Sequence, residues 1–412
     1  MPLPECRLIA SCCAGKVASA SKFARGARVR ITQAVFGAFH HFELGRELDR
    51  RGHLDTIYST WPWARLKREG LPHSKVETFP WVHTPVTVLE RMHLLPRSLS
   101  DDLGVWNARA FDDWTYERIG ECDALIAIAG AGLKTGQLVQ QRGGKFCCDS
   151  GSSHPRFQDS IVREEYARWG VGLPANDLRD TLREEEIFAV ADTVTVASSF
   201  AARTYVEAGV PANKLHVIPL GVRLENFRKT AEPPAESFNV LFAGSISLRK
   251  GVPYLLEAFA RLHKANKRLR LAGHVDASLK EMLGRLPLGE VEFLGSLAPQ
   301  QLAETMSRSH ALVLPSVEDG FGMVMAQAMA CGCPVICSTN TGGPDLLTDG
   351  VEGFVVPIRD ADAITARLQE LVDDSARQHA MGEAAMKRVQ SLRGWADYGD
   401  RWESLLHKLT GA

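Results

Sequence analysis

The chain has 412 residues, 45% of them hydrophobic and 24% charged, with a formal net charge of -1 at pH 7. This length holds two domains of ordinary size, the balanced charge excludes a protein whose whole surface binds nucleic acid, and no apolar run reaches the roughly 18 residues that span a bilayer. Nine cysteines, an odd number in no framework spacing, suit a reducing, cytoplasmic setting better than disulfides.

Residues 1–28 hold Arg, Lys, Ser and Ala with the single acid Glu5 and no apolar period, which predicts a disordered or leader-like extension. The fold starts with a strand over 29–35, a turn containing Gly37, a helix over 43–51 ended by Gly52, and a second strand over 54–58. The glycine turn reads either as a tight turn or as a phosphate-approach loop. His40 or His41 is a candidate to line the cleft beside it. Between residues 61 and 97 lie Trp61, Trp63 and Trp81 and several Lys and Arg, including Arg65, Lys67 and Arg68. This is either a basic, aromatic surface for an acidic or lipid-linked partner or a solvated helix face over core tryptophans. Further strands fall at 123–129, 145–149, 193–198 and 215–219. The second of these runs into Ser150-Gly151-Ser152-Ser153-His154, so His154 stands at a strand end, where α/β proteins place their chemistry. Residues 29–219 form the first domain, and 220–238, with Gly221, Pro233, Pro234 and no apolar period, form a linker.

The second domain, 239–392, restarts with a strand over 239–243 and a loop from Gly244 to Gly251 containing Arg249 and Lys250. Two adjacent cations in a glycine-bounded strand-to-helix loop provide the charge a diphosphate needs. Strands over 268–272 and 291–295 follow, then the most legible stretch of the chain. It comprises an apolar strand at 311–314, the turn Pro315-Ser316, the loop Glu318-Asp319-Gly320-Phe321-Gly322, a helix ended by Gly332, and a strand at 334–337. Cys331, Cys333 and Cys337 straddle a helix end and a buried strand and read as small buried hydrophobes. Asp360, ahead of Ala361-Asp362, reads as a helix N-cap and not as a metal ligand. In the tail, 393–412, Trp395, Tyr398, Trp402, Leu405 and Leu406 recur at helical spacing and need a surface, for which the first domain is the expected partner.

Six segments then occur in order: Val217-Ile218-Pro219-Leu220-Gly221-Val222, the Gly244 to Gly251 loop, Val291 to Gly295, Pro315 to Gly322, Ala328 to Ile336 and Gly350 to Pro357. Together they resemble the retaining family 4 glycosyltransferases (glycosyl transferases group 1). The resemblance implies the α/β GT-B architecture: two Rossmann-like domains facing a central cleft, with the C-terminal helix crossing back to the first. It implies a nucleotide diphosphate sugar as donor, no metal and no other cofactor, and a glycan, lipid-linked or small-molecule acceptor. A peripheral position on the inner membrane face, through the basic, aromatic surface, would follow. Lys250 matches the diphosphate lysine, His154 the acceptor-side histidine, and the backbone of Phe293, Leu294 and Gly295 the segment that meets the nucleobase.

Gly37, Gly244, Gly320, Phe321, Gly322 and Met323 complete the implied donor contacts. Three positions depart from the family. Ser245 stands where an arginine is usual, with Arg249 as its substitute, and Asp319 and Gln327 occupy the places of two glutamates, with Glu318 one residue out of register. Asp319 still accepts hydrogen bonds, whereas Gln327 carries no charge. Ser245 and Gln327 keep open a non-catalytic nucleotide-sugar-binding partner protein, and the shared architecture keeps open a sugar-nucleotide epimerase or hydrolase of the same fold.

Overall fold

The structure, a computed structural model, describes residues 28–411 apart from 93, 174, 175 and 281. The extension expected over 1–28 therefore lies, but for Arg28, outside the described residues. Thirteen strands in this part fall into two sheets. The first sheet contains β1 (Ile31–Val35), β2 (Leu54–Ser59), β3 (Val76–Thr78), β4 (Ala124–Ile128), β5 (Lys145–Ser150), β6 (Thr193–Val196) and β7 (Leu215–Val217), in the order β3-β2-β1-β4-β5-β6-β7. The second contains β8 (Phe238–Ala243), β9 (Lys267–Ala272), β10 (Val291–Gly295), β11 (Ala311–Leu314), β12 (Val335–Ser338) and β13 (Gly353–Val356), in the order β10-β9-β8-β11-β12-β13.

Every pairing is parallel. Parallel sheets are covered by helices on both faces, so central strands are buried along their whole length. β1 and β8 follow this rule at every position, which is why each reads as a run and not as an alternation. The strand order reverses between β1 and β4 in one sheet and between β8 and β11 in the other. In open α/β sheets ligands bind outside the carboxyl ends of the strands at such reversals.

The C-terminal helix, Trp395–Thr410, packs on the first described helix, His41–Arg50. Trp395, Tyr398, Trp402, Leu405 and Leu406 join Phe42, Leu44 and Leu48 in the first domain's core. Arg51 Nη2 donates to the Ala396 carbonyl at 3.0 Å and His53 Nε2 lies 2.9 Å from Glu403 Oε1, so polar contacts clamp the same seam. The chain thus crosses between domains twice, and the crossings touch. A Cβ on Gly221 would stand 2.6 Å from the Trp395 nitrogen, and one on Gly394, which has φ +57°, would stand 2.4 Å from the Val222 oxygen. Only glycine permits both approaches.

Candidate active site

The cationic loop is built by close backbone contact. After β8 the chain turns through Gly244, at φ +143°, and the exposed Ser245, and Ile246 and Leu248 then anchor it in the core. Gly244, Gly273 and Gly295 lie side by side at the ends of β8, β9 and β10: Gly273 N donates to Gly295 O at 2.8 Å, and a Cβ on Gly273 would stand 1.8 Å from Gly244 O. Phe293 (39% exposed) and Leu294 therefore share a strand-end row with the loop. At its other end Gly251 has φ +66°, and a Cβ there would meet the Pro315 oxygen at 1.9 Å. The missing side chain lets the loop lie against the end of β11.

That contact brings the cations to the acidic turn. Val317 N donates to Arg249 O at 2.9 Å, Arg249 Nη1 donates to Glu318 Oε2 at 2.9 Å, and Lys250 Nζ donates to Asp319 Oδ2 at 2.5 Å. Asp319 Oδ1 accepts from Phe321 N at 3.3 Å, which holds its carboxylate against the Gly320–Gly322 turn. Phe321 is buried, Gly322 has φ +79°, Met323 precedes the short helix Val324–Ala330, and Gln327 sits half-buried on that helix.

The two domains meet directly at this turn. Glu318 is fully buried, and besides Arg249 it accepts from two first-domain donors, Ser153 Oγ at 2.8 Å and Gln158 Nε2 at 3.0 Å. Ser198 Oγ donates to the Gly320 carbonyl at 2.6 Å, and Ser199 N to Asp345 Oδ2 at 2.7 Å. A buried carboxylate is stable only when its lone pairs are filled, and Glu318 meets that condition by drawing on both domains. Ser153, Gln158 and Ser198 were not singled out from the sequence, where hydroxyl and amide residues in polar loops carry no distinguishing pattern.

The first domain departs from expectation at His154. Its imidazole is 1% exposed, accepts from Arg156 N at 3.3 Å as the N-cap of helix Pro155–Arg168, and lies between the rings of Phe188 and Tyr205. Burial lowers its pKa below the ordinary histidine value, with Glu185 opposing that shift. The ring is thus a cap turned into the core instead of a cleft-lining group. The group at the strand ends is His40, whose Nε2 lies 2.7 Å from Asp149 Oδ2 at the end of β5. Asp149 follows the apolar run Phe146-Cys147-Cys148 near the end of β5, and an acid in that place was the available signal. Gly37 has φ +75°, donates to Thr60 Oγ1 at 3.0 Å and accepts from Ser59 Oγ at 2.6 Å, and the Trp61 ring packs over it. It is a tight turn braced by β2.

Among the described residues, two clusters hold three potential metal ligands each: His40, His41 and Asp149, and His53, Glu403 and His407. In the first, the 2.7 Å between His40 Nε2 and Asp149 Oδ2 is a hydrogen-bond length, shorter than the roughly 3.3 Å between ligands that each sit about 2 Å from a tetrahedral ion. In the second, His53 Nδ1 already contacts Val29 N at 3.1 Å and Val29 O at 3.2 Å, and the cluster serves the helix seam.

The tryptophan-rich segment divides. Trp61 and Trp63 pack against the core, and Arg65 stacks over Trp61 at 3.2 Å. Trp81 is 76% exposed and is followed by exposed Val88, Leu89, Met92, Leu94, Leu99 and Trp106 around the helices His83–Arg91 and Arg97–Arg118. Among the described residues no helix is long and apolar enough to cross a membrane.

Two parallel, Rossmann-like sheets whose strand-end loops face each other, with a C-terminal helix returning to the first, define a GT-B protein. Residues 224–388 match the family described as Glycosyl transferases group 1. It is 28% identical over 399 residues to a D-inositol 3-phosphate glycosyltransferase of Thermomonospora curvata, covering 90% of this chain and 89% of that one. It is 26% identical over 249 residues to an MMP alpha-(1->4)-mannosyltransferase of Mycolicibacterium hassiacum, covering 59% of this chain and 60% of the relative. With a D-inositol 3-phosphate glycosyltransferase of Streptomyces avermitilis it shares 30% identity over 306 residues, covering 68% and 64%. The chain thus spans about 60% and 64% of the length of those last two relatives. Among solved structures, a sucrose-phosphate synthase from Thermosynechococcus elongatus superposes with a TM-score of 0.70 at 22% identity, covering 93% of this chain and 99% of that one. The Anabaena protein HepE, solved in complex with UDP, superposes with a TM-score of 0.66 at 17% identity, covering 92% and 100%.

Proposed function

We propose that this protein transfers a hexose from a nucleotide diphosphate sugar to an acceptor hydroxyl with retention of anomeric configuration. The observation that carries the reading is the pair Arg249 and Lys250, held at the strand reversal of the second sheet beside the Asp319 turn and facing the 150–153 loop of the first domain. The match of residues 224–388 to that family and the UDP-bound structural relative support it.

Cleaving the bond between the anomeric carbon and the diphosphate oxygen leaves positive charge on the sugar and adds negative charge to the phosphate. An ammonium has three donors, so Lys250 keeps two beyond its bond to Asp319, and Arg249 likewise has free N–H groups. These cations stabilise the departing diphosphate, the role a metal ion fills elsewhere. The acceptor oxygen bonds to the anomeric carbon on the face the phosphate leaves, and its proton passes to the departing phosphate oxygen. Atoms and charge balance without a covalent enzyme intermediate. Asp319 and Gln327 contact donor hydroxyls, and the strand-end row of Phe293, Leu294 and Gly295 receives the base. The acceptor approaches from the first domain, and the exposed apolar surface from Trp81 to Trp106 suits a lipid-linked acceptor at a membrane face.

A panel of UDP-, GDP- and ADP-sugars tests this reading. One donor should raise the melting temperature, as a ligand bound only to the folded state must, and should release nucleoside diphosphate when acceptor is present, giving an α-linked product from an α-linked donor by NMR. Stabilisation without turnover for any acceptor would favour the binding-partner reading, and product from donor alone the epimerase or hydrolase reading.

A further inference from the structure

A cavity of about 560 Å³ opens at the carboxyl ends of β1, β4 and β5, between Phe39 and His40 on one side and Ser152 and Gln158 on another, with Asp180 and Glu184 on its wall. It occupies the strand reversal of the first sheet and borders Ser153, which bonds Glu318 of the second domain. His40 is the imidazole that reaches it. His40 Nε2 donates to Asp149 Oδ2 at 2.7 Å, and Asp149 is 4% exposed, its other oxygen filled by Thr195 Oγ1 at 2.6 Å. Burial pushes the Asp149 carboxyl up, and His40 foremost, with His41 and Thr195, outweighs that effect and holds it below the usual carboxylate range. With the Asp149 carboxylate at Nε2, the proton of the neutral imidazole sits on Nε2 and Nδ1 is the hydrogen-bond acceptor. No described residue hydrogen-bonds that nitrogen.

The charge around the cavity is one-sided. The nearby arginines are paired, Arg183 with Asp112 at 2.7 Å and Arg179 with Asp177 at 2.5 Å. Glu184 is raised to about 7 by burial, then by Asp180 and Glu185, so near neutral pH it both donates and accepts hydrogen bonds. A phosphate entering here would meet carboxyl groups and find no unpaired cation among the described residues that line the cavity.

We propose that this cavity binds the acceptor as an uncharged polyol ring, a sugar or cyclitol without phosphate in the cavity, and that His40 Nδ1, oriented by Asp149, accepts a hydrogen bond from the hydroxyl next to the one that reacts. The inference rests on the transferase reading and assigns its acceptor class. The reacting hydroxyl stays free to give its proton to the leaving phosphate, and Asp149 acts as a positioning residue through His40.

The test compares unphosphorylated sugars and cyclitols with their phosphate esters as acceptors, for the wild type, His40→Ala, His40→Asn and Asp149→Asn. An asparagine oxygen at the His40 position lies close to where Nδ1 was, and the amide introduced by Asp149→Asn favours the opposite tautomer of His40, which turns Nδ1 into a donor. The neutral acceptors should be preferred. His40→Ala and Asp149→Asn should raise the acceptor KM by about tenfold, the worth of one hydrogen bond, leaving the donor KM unmoved, and His40→Asn should recover part of the loss. A better phosphorylated acceptor, an unchanged acceptor KM, or equal losses toward donor and acceptor would overturn the proposal. Saturation-transfer NMR of the neutral polyols gives a second readout that needs no turnover. Binding that depends on His40 without any transfer would refute the transferase reading and keep the site, whereas no binding at all would refute the site.

Discussion

Replacing Gly320 with alanine probes the junction on which the site depends. Gly320 is not among the residues with positive φ, so the backbone itself tolerates a side chain. The obstacle is the other domain: the new Cβ would stand 2.2 Å from Gly151 O and 2.7 Å from Ser152 Cα. Both are backbone atoms that no rotamer change can move, and relaxing them to ordinary contact, about 3.5 Å, requires the loops to part by roughly 1 Å. The Ser198 to Gly320 bond at 2.6 Å and the Ser153 and Gln158 bonds to Glu318 at 2.8 and 3.0 Å would then pass out of hydrogen-bond range. One neutral bond at about 1 kcal/mol and two to a buried carboxylate at about 1.5 kcal/mol each or more give roughly 4 kcal/mol of interdomain association. Each domain keeps its own core, so circular dichroism should be unchanged. Small-angle scattering should show a larger radius of gyration, and turnover should fall. Gly289→Ala, with no atom within 4 Å of the added carbon, is the control. A Gly320→Ala variant with wild-type scattering and wild-type turnover would refute the claim that this contact sets the domain approach.

Lys250→Ala should lower turnover by about 10²-fold or more, as expected for one charge-stabilising donor, and Lys250→Arg should restore part of it; steady-state kinetics decide, and wild-type turnover in the alanine variant would remove Lys250 from the mechanism. Trp402 is fully buried in the seam between the C-terminal helix and the first domain, so Trp402→Ala should cost about 3–5 kcal/mol in denaturant unfolding followed by first-domain probes. His154→Ala removes a helix cap and a buried ring, and urea titration should show a loss of at least about 1 kcal/mol. Acid should destabilise the fold from near pH 6.5 downward. Burial, then His40, lowers His41 to about 3, and burial, then Lys264, lowers His310 to about 4. Both stay neutral when folded and protonate in the unfolded chain, so stability is full above the ordinary histidine pKa and falls as pH drops through the window below it. His41 contributes about 1.4 kcal/mol per pH unit there, and His310, partly exposed, less. Equal urea midpoints at pH 7.5 and 5.5 would contradict this.

The outcome at each residue follows the range of the interaction that decides it. Strand runs, glycine stops and helical apolar spacing are local, and so the two parallel domains, the stretch around Asp319 and the returning stripe of Trp395 and Trp402 were legible in the sequence. Adjacent cations in a glycine-bounded loop were legible for the same reason, since β8, Gly244 and Gly251 fix where Arg249 and Lys250 emerge. What the sequence left open is which side of a loop each side chain takes. His154 and His40 both stand in polar loops at strand ends, yet one turns inward to cap a helix against Phe188 and Tyr205, while the other meets Asp149, 109 residues away. Glu318 is an unremarkable acid until Ser153, 165 residues earlier, fills its lone pair from the opposite domain. Those partners are chosen by burial, because a buried polar group must find a mate wherever the packed chain provides one, and only the tertiary structure says where that is.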